Sequence, residues 1–141
     1  MSRGEYLRLI ALFFVLYIAL RYTLGSLLIR PTTSFLSFLL GCSGNGETLV
    51  CGDYAYEIIP ECTGIVSIAL FLALLYVFRV PRSRALRVVL FGSIALYLLD
   101  VARVYALIRF THSISAFDFW HTVSWFVAPI LIVAYVLWLA K

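Results

Sequence analysis

Three side chains of the types that acyl transfer uses lie in three successive apolar segments. Cys62 begins one segment, Arg103 lies within the next and His121 begins the last. A thiolate can attack a carbonyl carbon, a guanidinium can stabilise the resulting oxyanion, and an imidazole can carry a proton. Taken singly, a membrane cysteine is usually a small apolar residue, and a histidine beside tryptophans is common at a membrane interface. The combination supports the hypothesis of a cysteine nucleophile.

Arg103 is accompanied by an acidic residue on the same helical face. Asp100 precedes it by three positions, so the two side chains can pair on a helix. An ionised group at mid-bilayer costs at least about 2.5–3.5 kcal/mol, and such residues usually serve a function. At about 1.5 Å per residue, Arg103 lies roughly 10 Å inside the C-terminal end of its segment. The alternative is a pair that only neutralises itself within a helix bundle.

The neighbours of Cys62 also suit a nucleophile. Pro60 is a normal residue for the start of a helix. A thiol in that position is close to the positive end of the helix dipole, which favours the thiolate. Thr63 and Gly64 are small, so we expect them to leave space for a substrate backbone.

The elements that must position these residues are membrane-spanning helices. The chain has 141 residues, 64% hydrophobic and 13% charged, whereas in soluble domains about a quarter are charged and just under half are apolar. Each crossing takes roughly 20 residues, so the length predicts an all-α bundle of about four helices in a single domain, residues 1–141. The formal charge of +4 is small, and the basic residues do not form a stripe along the chain, which argues against nucleic-acid binding.

The apolar runs predict where the helices lie. Pro31 ends the first run, and residues 32–34 are expected to cap a short interfacial helix through Leu40. The first run is too long for a cleaved signal peptide, and no small-residue cleavage site follows it. Residues 41–60 are rich in glycine and acidic residues, which predicts a solvated loop of turns. The predicted helices cover about residues 6–29, 62–80, 86–110 and 121–140.

Arginine positions predict the orientation of these helices. Arg3 and Arg8 precede the first helix, and a cluster over residues 79–87 separates the second from the third. Because cytoplasmic loops are enriched in arginine, both termini are predicted to be cytoplasmic. The 41–60 loop and the polar segment over residues 111–118, where His112 is expected to be solvated, then face outward. All three candidate residues are therefore expected near the outer face of the cell membrane.

The chain contains three cysteines, an odd count that leaves several states open. Cys42 and Cys51 enclose eight residues of the predicted outer loop, where a disulfide is permitted. Closing a loop of this size contributes about 2–3 kcal/mol in the chain-entropy model. We predict that these two pair and that Cys62 is free; three free thiols remain the alternative.

At this point three short motifs resemble those of the archaeosortase/exosortase family. ECTG at residues 61–64 resembles the family's Cys followed by Ser or Thr and Gly, at the start of a spanning helix. DVAR at residues 100–103 resembles its second motif, in which Asn is usual where Asp100 stands. His121 resembles the third position, which is His in exosortases. The resemblance covers about residues 60–141, with the motifs in family order on successive predicted helices.

The resemblance implies a membrane cysteine transpeptidase that removes C-terminal sorting signals from exported proteins. Cys62 would form a thioester, Arg103 would stabilise the oxyanion, and His121 would take up or deliver a proton. Asp100 would hold and orient Arg103. An acceptor, expected to be a membrane lipid amine, would then resolve the thioester. No metal or cofactor is required, and the sequence has no ligand cluster at metal spacing.

Three other functions remain open at this level. A membrane cysteine protease would differ only in using water to resolve the thioester. A four-helix thiol–disulfide oxidoreductase would usually need a close dithiol such as Cys-x-x-Cys, which is absent. A scaffold or transporter subunit would tolerate the loss of Cys62 and His121. The sequence does not indicate the oligomeric state.

Overall fold

The computed structural model describes residues 2–111 and 113–139, so the predicted helix end at Ala140 and the residue His112 lie outside the described part. Along the chain, two helices are followed by a small three-stranded sheet and then by three more helices. The helices are α1 (Arg3–Leu20), α2 (Ser26–Leu40), α3 (Ile65–Val77), α4 (Arg82–Phe110) and α5 (Ile114–Leu139). The strands are β1 (Ser43–Asn45), β2 (Thr48–Cys51) and β3 (Tyr54–Glu57).

The helices form the predicted membrane bundle. A π-helical turn over Arg21–Gly25 joins α1 and α2 into one apolar segment of 38 residues. This segment, the 29-residue α4 and the 26-residue α5 are each long and apolar enough to cross a membrane, and the 13-residue α3 is a shorter apolar helix. The prediction of an all-α membrane bundle of about four helices is confirmed.

Helix α3 lies at the centre of the bundle. It packs against α1, α4 and α5, and seven of its residues are buried, among them Phe71 at 1% exposure. Gly92 of α4 lies against Phe71, where an added Cβ would come within 2.5 Å of the ring. The other helices expose large apolar side chains on their outer surfaces, as lipid contact requires.

The prediction that Pro31 ends the first helix is wrong, because Pro31 lies inside α2. A proline is tolerated within a spanning helix when neighbouring helices and Ser or Thr side chains satisfy the freed polar groups. The two threonines that follow lie inside α2 and do not cap a separate helix. Thr33 Oγ1 donates to the Ile29 carbonyl at 2.9 Å, and the Thr32 hydroxyl bonds the Tyr97 hydroxyl of α4 at 2.9 Å.

Three predicted helix starts also differ from the observed ones. The long helices start earlier, α4 at Arg82 and α5 at Ile114, so His121 lies in the third turn of its helix rather than at its start. Ser113 Oγ accepts a hydrogen bond from the Ala116 amide at 3.1 Å and supports this early start of α5. Helix α3 instead starts later than predicted, at Ile65.

The segment predicted as a loop of turns is a three-stranded antiparallel sheet of order β1-β2-β3. Two-residue turns connect the strands, and Gly46 and Gly52 take the positive φ that such turns need. Leu49 at the centre of β2 is fully buried, which fixes the sheet against the helices. The strands were not predicted from the sequence for two reasons. Each contains only three or four residues, and the segment is rich in glycine and polar residues, which is typical of turns.

A disulfide joins Cys42 to Cys51, with Cα atoms 4.9 Å apart. It links the residue before β1 to the end of β2 and so closes the first hairpin. Cys62 is a free, buried cysteine. This is the arrangement that the sequence predicts.

Candidate active site

Cys62 lies in a tight turn between the sheet and α3. The turn is a 3-10 helix over Pro60–Thr63, closed by a hydrogen bond of 2.9 Å from the Cys62 amide to the Ile59 carbonyl. Thr63 is fully buried, and its hydroxyl donates to the Pro60 carbonyl at 2.6 Å. Cys62 therefore lies two residues before Gly64, the N-cap of α3, instead of in the first turn of that helix.

Gly64 lets the chain turn from Cys62 into α3. Its φ of 77° lies in the left-handed region. An added Cβ would lie 3.3 Å from the Asp100 Cβ, the Leu96 carbonyl oxygen and the Tyr97 Cα. The expectation that Thr63 and Gly64 leave space for a substrate backbone is therefore wrong, because α4 occupies the space beside Gly64.

Glu61 fastens the same turn to α1. Tyr17 donates to Glu61 Oε1 at 2.6 Å, and Arg21 Nη1 forms an ion pair with the same oxygen at 2.9 Å. Arg21 also donates to the Tyr17 hydroxyl at 3.3 Å. These contacts provide a partner for an intramembrane arginine and fix the backbone next to Cys62.

The surroundings of Cys62 are mainly apolar. The thiol lies in a buried cluster that includes Val101, Val104 and Ile108 of α4. Burial raises the pKa of the Cys62 thiol, and the negative charge of Asp100 acts in the same direction, while the Ile59 backbone contact and the charge of Arg103 act in the opposite direction. The direction of this pKa shift is opposite to the one that a thiol at a helix N-terminus predicts, because burial has the largest effect.

Cys62 and His121 line the same cavity, which has a volume of about 450 Å³. Strand β3 forms one wall, while Val104 and Ile108 of α4 and Phe117 of α5 contribute apolar side chains. Asp53, Glu57 and Asp118 also line it and give it an acidic part. The structure thus brings the candidate nucleophile and the candidate imidazole to one space large enough for several residues of an extended peptide.

A hydrogen bond from α5 fixes the protonation pattern of His121. Trp125 Nε1 lies 3.0 Å from His121 Nε2, and an indole N–H can only donate. Nε2 must therefore accept, so the proton of the neutral imidazole is on Nδ1. That Nδ1 is buried and has no hydrogen-bond partner among the described residues. The ring is held further by stacking on Phe117, with centroids 5.7 Å apart.

Arg103 is held on the other side of Trp125. Its Nη2 pairs with Asp100 Oδ1 at 2.9 Å, its Nη1 donates to Ser124 Oγ at 3.4 Å, and its guanidinium lies 5.7 Å from the Trp125 ring centroid. Its Nε is buried without a partner among the described residues.

Arg103 does not line the cavity of Cys62. It lines a neighbouring cavity of about 800 Å³ that extends between α4 and α5 as far as Arg87. The structure therefore brings Cys62 and His121 together, while Arg103 is connected to them through Trp125 and through its effect on the pKa of Cys62.

Two features of this network were missed from the sequence. Trp125 reads as an ordinary interfacial tryptophan, and its four-residue spacing from His121 on a helix was the available signal. Glu61 reads only as part of a motif, although Arg21 in the first apolar run needed an acidic partner. Within residues 2–111 and 113–139, no group of three His, Cys, Asp or Glu side chains could hold a metal ion.

A comparison with family models matches residues 4–139 to a family described as transmembrane exosortase. The matched range includes the sheet, the turn that contains Cys62, and helices α4 and α5, which carry Arg103 and His121. No curated protein and no solved structure matches the chain.

Proposed function

Because this chain belongs to the transmembrane exosortase family, we propose that it is a cysteine transpeptidase of the cell membrane. Its substrates are exported proteins that end in a sorting signal, and its site faces the outer side of the membrane. The observation that carries this proposal is the cavity shared by Cys62 and His121, since acyl transfer needs a nucleophile and a group that carries a proton or stabilises the oxyanion in one space.

Cys62 attacks the carbonyl carbon of the scissile peptide bond. The S–C bond forms, the C–N bond breaks, and the thiol proton ends on the leaving amine, so the step balances without another reagent. The positive charge of Arg103 favours the thiolate that must form, although burial and the negative charge of its partner Asp100 act in the opposite direction. A membrane amine then attacks the thioester, forms an amide and returns the thiol.

His121 enters this step as a hydrogen donor. Its Nδ1 is buried and has no hydrogen-bond partner among the described residues, so the Nδ1–H is free to bond the oxyanion of a tetrahedral intermediate formed in the cavity that His121 shares with Cys62. One such donor is worth about 2.7–4 kcal/mol, or roughly 10²–10³ in kcat. His121 can accept a proton only through Nε2, which requires the bond from Trp125 to open.

Arg103 and Asp100 act as one unit beside this site. Asp100 and Ser124 hold the two Nη atoms of Arg103, so the guanidinium keeps one orientation and its charge stays near Cys62. An arginine is always protonated, and it therefore stabilises negative charge at any working pH. Removing Asp100 would leave this buried cation without its counter-ion, which usually costs about 3–5 kcal/mol.

Trapping the acyl-enzyme tests the proposal. The purified protein in detergent is mixed with a reporter that ends in a sorting signal from the same organism, and hydroxylamine is added. We expect a hydroxamate at the new C-terminus by mass spectrometry, and no product with Cys62→Ala. Processing by Cys62→Ala would refute the mechanism.

The same experiment without hydroxylamine separates the transpeptidase from a cysteine protease. With membrane lipids present, a transpeptidase leaves a C-terminal amide that carries the amine. A protease leaves a free carboxylate under the same conditions. If only the carboxylate forms although all lipid amines are present, the acceptor that resolves the thioester is water and not a lipid amine.

A further inference from the structure

Strand β3 is a sheet edge that no other described strand pairs with, although the Phe117 ring of α5 packs on the Tyr56 ring with centroids 5.2 Å apart. The sheet order is β1-β2-β3, so β3 pairs only with β2. The opposite edge strand, β1, packs against α2, whereas no helix of the described residues packs its backbone closely against β3. An uncovered edge presents backbone groups that can pair with another extended chain.

The pairing of β3 shows which of its backbone groups are available. The Ile58 amide donates to the Glu47 carbonyl at 2.7 Å, and hydrogen-bonded pairs alternate along an antiparallel ladder. Tyr54 and Tyr56, opposite Cys51 and Leu49, therefore bond β2. By the same alternation, the N–H and C=O groups of Ala55 and Glu57 point away from the sheet.

This edge leads directly to Cys62. Residues 53–59 line the same 450 Å³ cavity as Cys62 and His121. After Glu57 the chain enters the tight turn at Pro60, and the bond from the Cys62 amide to the Ile59 carbonyl brings the thiol to the C-terminal end of the strand. A peptide paired with β3 would occupy this cavity and end beside the thiol.

We propose that the substrate binds by strand addition: the segment preceding the scissile bond pairs with the free edge of β3. This inference rests on the proposed function. The acyl part of a substrate lies N-terminal to the carbonyl that Cys62 attacks, and Cys62 lies at the C-terminal end of β3. The bound segment therefore runs parallel to β3, and its alternate residues bond Ala55 and Glu57.

A reactive peptide tests this without knowledge of the natural substrate. The probe is acetyl-tetraalanine chloromethyl ketone, whose chloride is displaced by the Cys62 thiolate. Four analogues each carry one N-methylated alanine, and the rate of Cys62 modification is followed by intact mass. In a paired strand every second amide faces the partner. We expect two alternate analogues to react at least about tenfold more slowly, as the loss of a hydrogen bond plus a clash predicts, and the other two nearly as fast as the parent probe.

Variants of Ala55 provide the matching test on the protein. Its N–H points outward, so Ala55→Pro removes an edge donor without removing a bond to β2. Ala55→Val keeps the N–H and serves as the control. We expect Ala55→Pro to lower the rate with the peptide probe at least about tenfold and to leave the rate with iodoacetamide, which needs no strand pairing, unchanged. Ala55→Val should match the wild type with both reagents.

The outcomes separate the two proposals. If Cys62 reacts with iodoacetamide but all four N-methyl analogues react equally, strand addition is wrong and the nucleophile stands. The analogue series uses the unaltered protein, so this result would hold even if Ala55→Pro failed to fold. If Cys62 of the wild type reacts with neither reagent, the proposed function fails, and strand addition, which depends on it, fails as well.

Discussion

Replacing Trp125 by phenylalanine removes one N–H from the centre of the site. The ring, and with it the contact to Arg103, is largely kept, while the 3.0 Å bond to His121 Nε2 is lost. A half-buried acceptor left without its donor costs about 1–3 kcal/mol. The Nδ1–H tautomer is then no longer enforced, so His121 presents its donor to the cavity only part of the time.

We expect kcat to fall about 2- to 10-fold, because activity scales with the fraction of the competent tautomer in the mixture, with KM little changed. The loss must be smaller than that of His121→Ala, which removes the donor altogether and should cost roughly 10²–10³ in kcat. Reporter processing gives the rates. Nitrogen-15 chemical shifts of His121 report the tautomer, and they should change from protonated Nδ1 to a mixture. Trp120→Phe, on the same helix but exposed, is the matched control and should behave as the wild type.

A double mutant decides whether Trp125 acts through His121. Residues that act through one another show non-additive effects, so Trp125→Phe should add little in the His121→Ala background. An undiminished loss in that background would refute the tautomer role and would point to the contact between Trp125 and Arg103. An unchanged kcat and unchanged nitrogen shifts in the single variant would refute it as well.

Three further outcomes are expected. Iodoacetamide should label one cysteine, Cys62, before reduction and all three after it, by intact mass with peptide mapping; a second label before reduction would contradict the pairing in the structure. Serine at both Cys42 and Cys51 should lower the free energy of unfolding by about 2–3 kcal/mol in denaturant titrations, and an unchanged value would show that the hairpin closes without the bond. Gly64→Ala should destabilise the protein and slow Cys62 labelling more than Gly46→Ala does. Both glycines have a positive φ, but only a Cβ on Gly64 would come within 3.4 Å of α4 atoms. Equal effects of the two substitutions would mean that backbone conformation alone matters.

Local sequence signals were enough for the helices and for the types of residue in the site. Long apolar runs predict spanning helices because lipid forces backbone groups to bond within a segment, and the structure confirms the membrane bundle. The polar residues that are expensive in such helices, Asp100 and Arg103, form the ion pair that their spacing predicts. The short strands were missed because pairing between strands, rather than local preference, stabilises them.

The sequence by itself determined a membrane bundle, a family resemblance and the order of the candidate residues along the chain, and it favoured a free Cys62 beside one disulfide, which the structure then showed. Only the tertiary structure decided which of them meet: Cys62 and His121 share a cavity, and Arg103 lies in the next one. It also decided that Cys62 is held in a turn by Glu61 and that Trp125 sets the tautomer of His121. The reason is physical, since the position of a residue along an apolar run indicates its depth in the membrane, whereas rotation and distance between helices depend on packing contacts from distant parts of the chain.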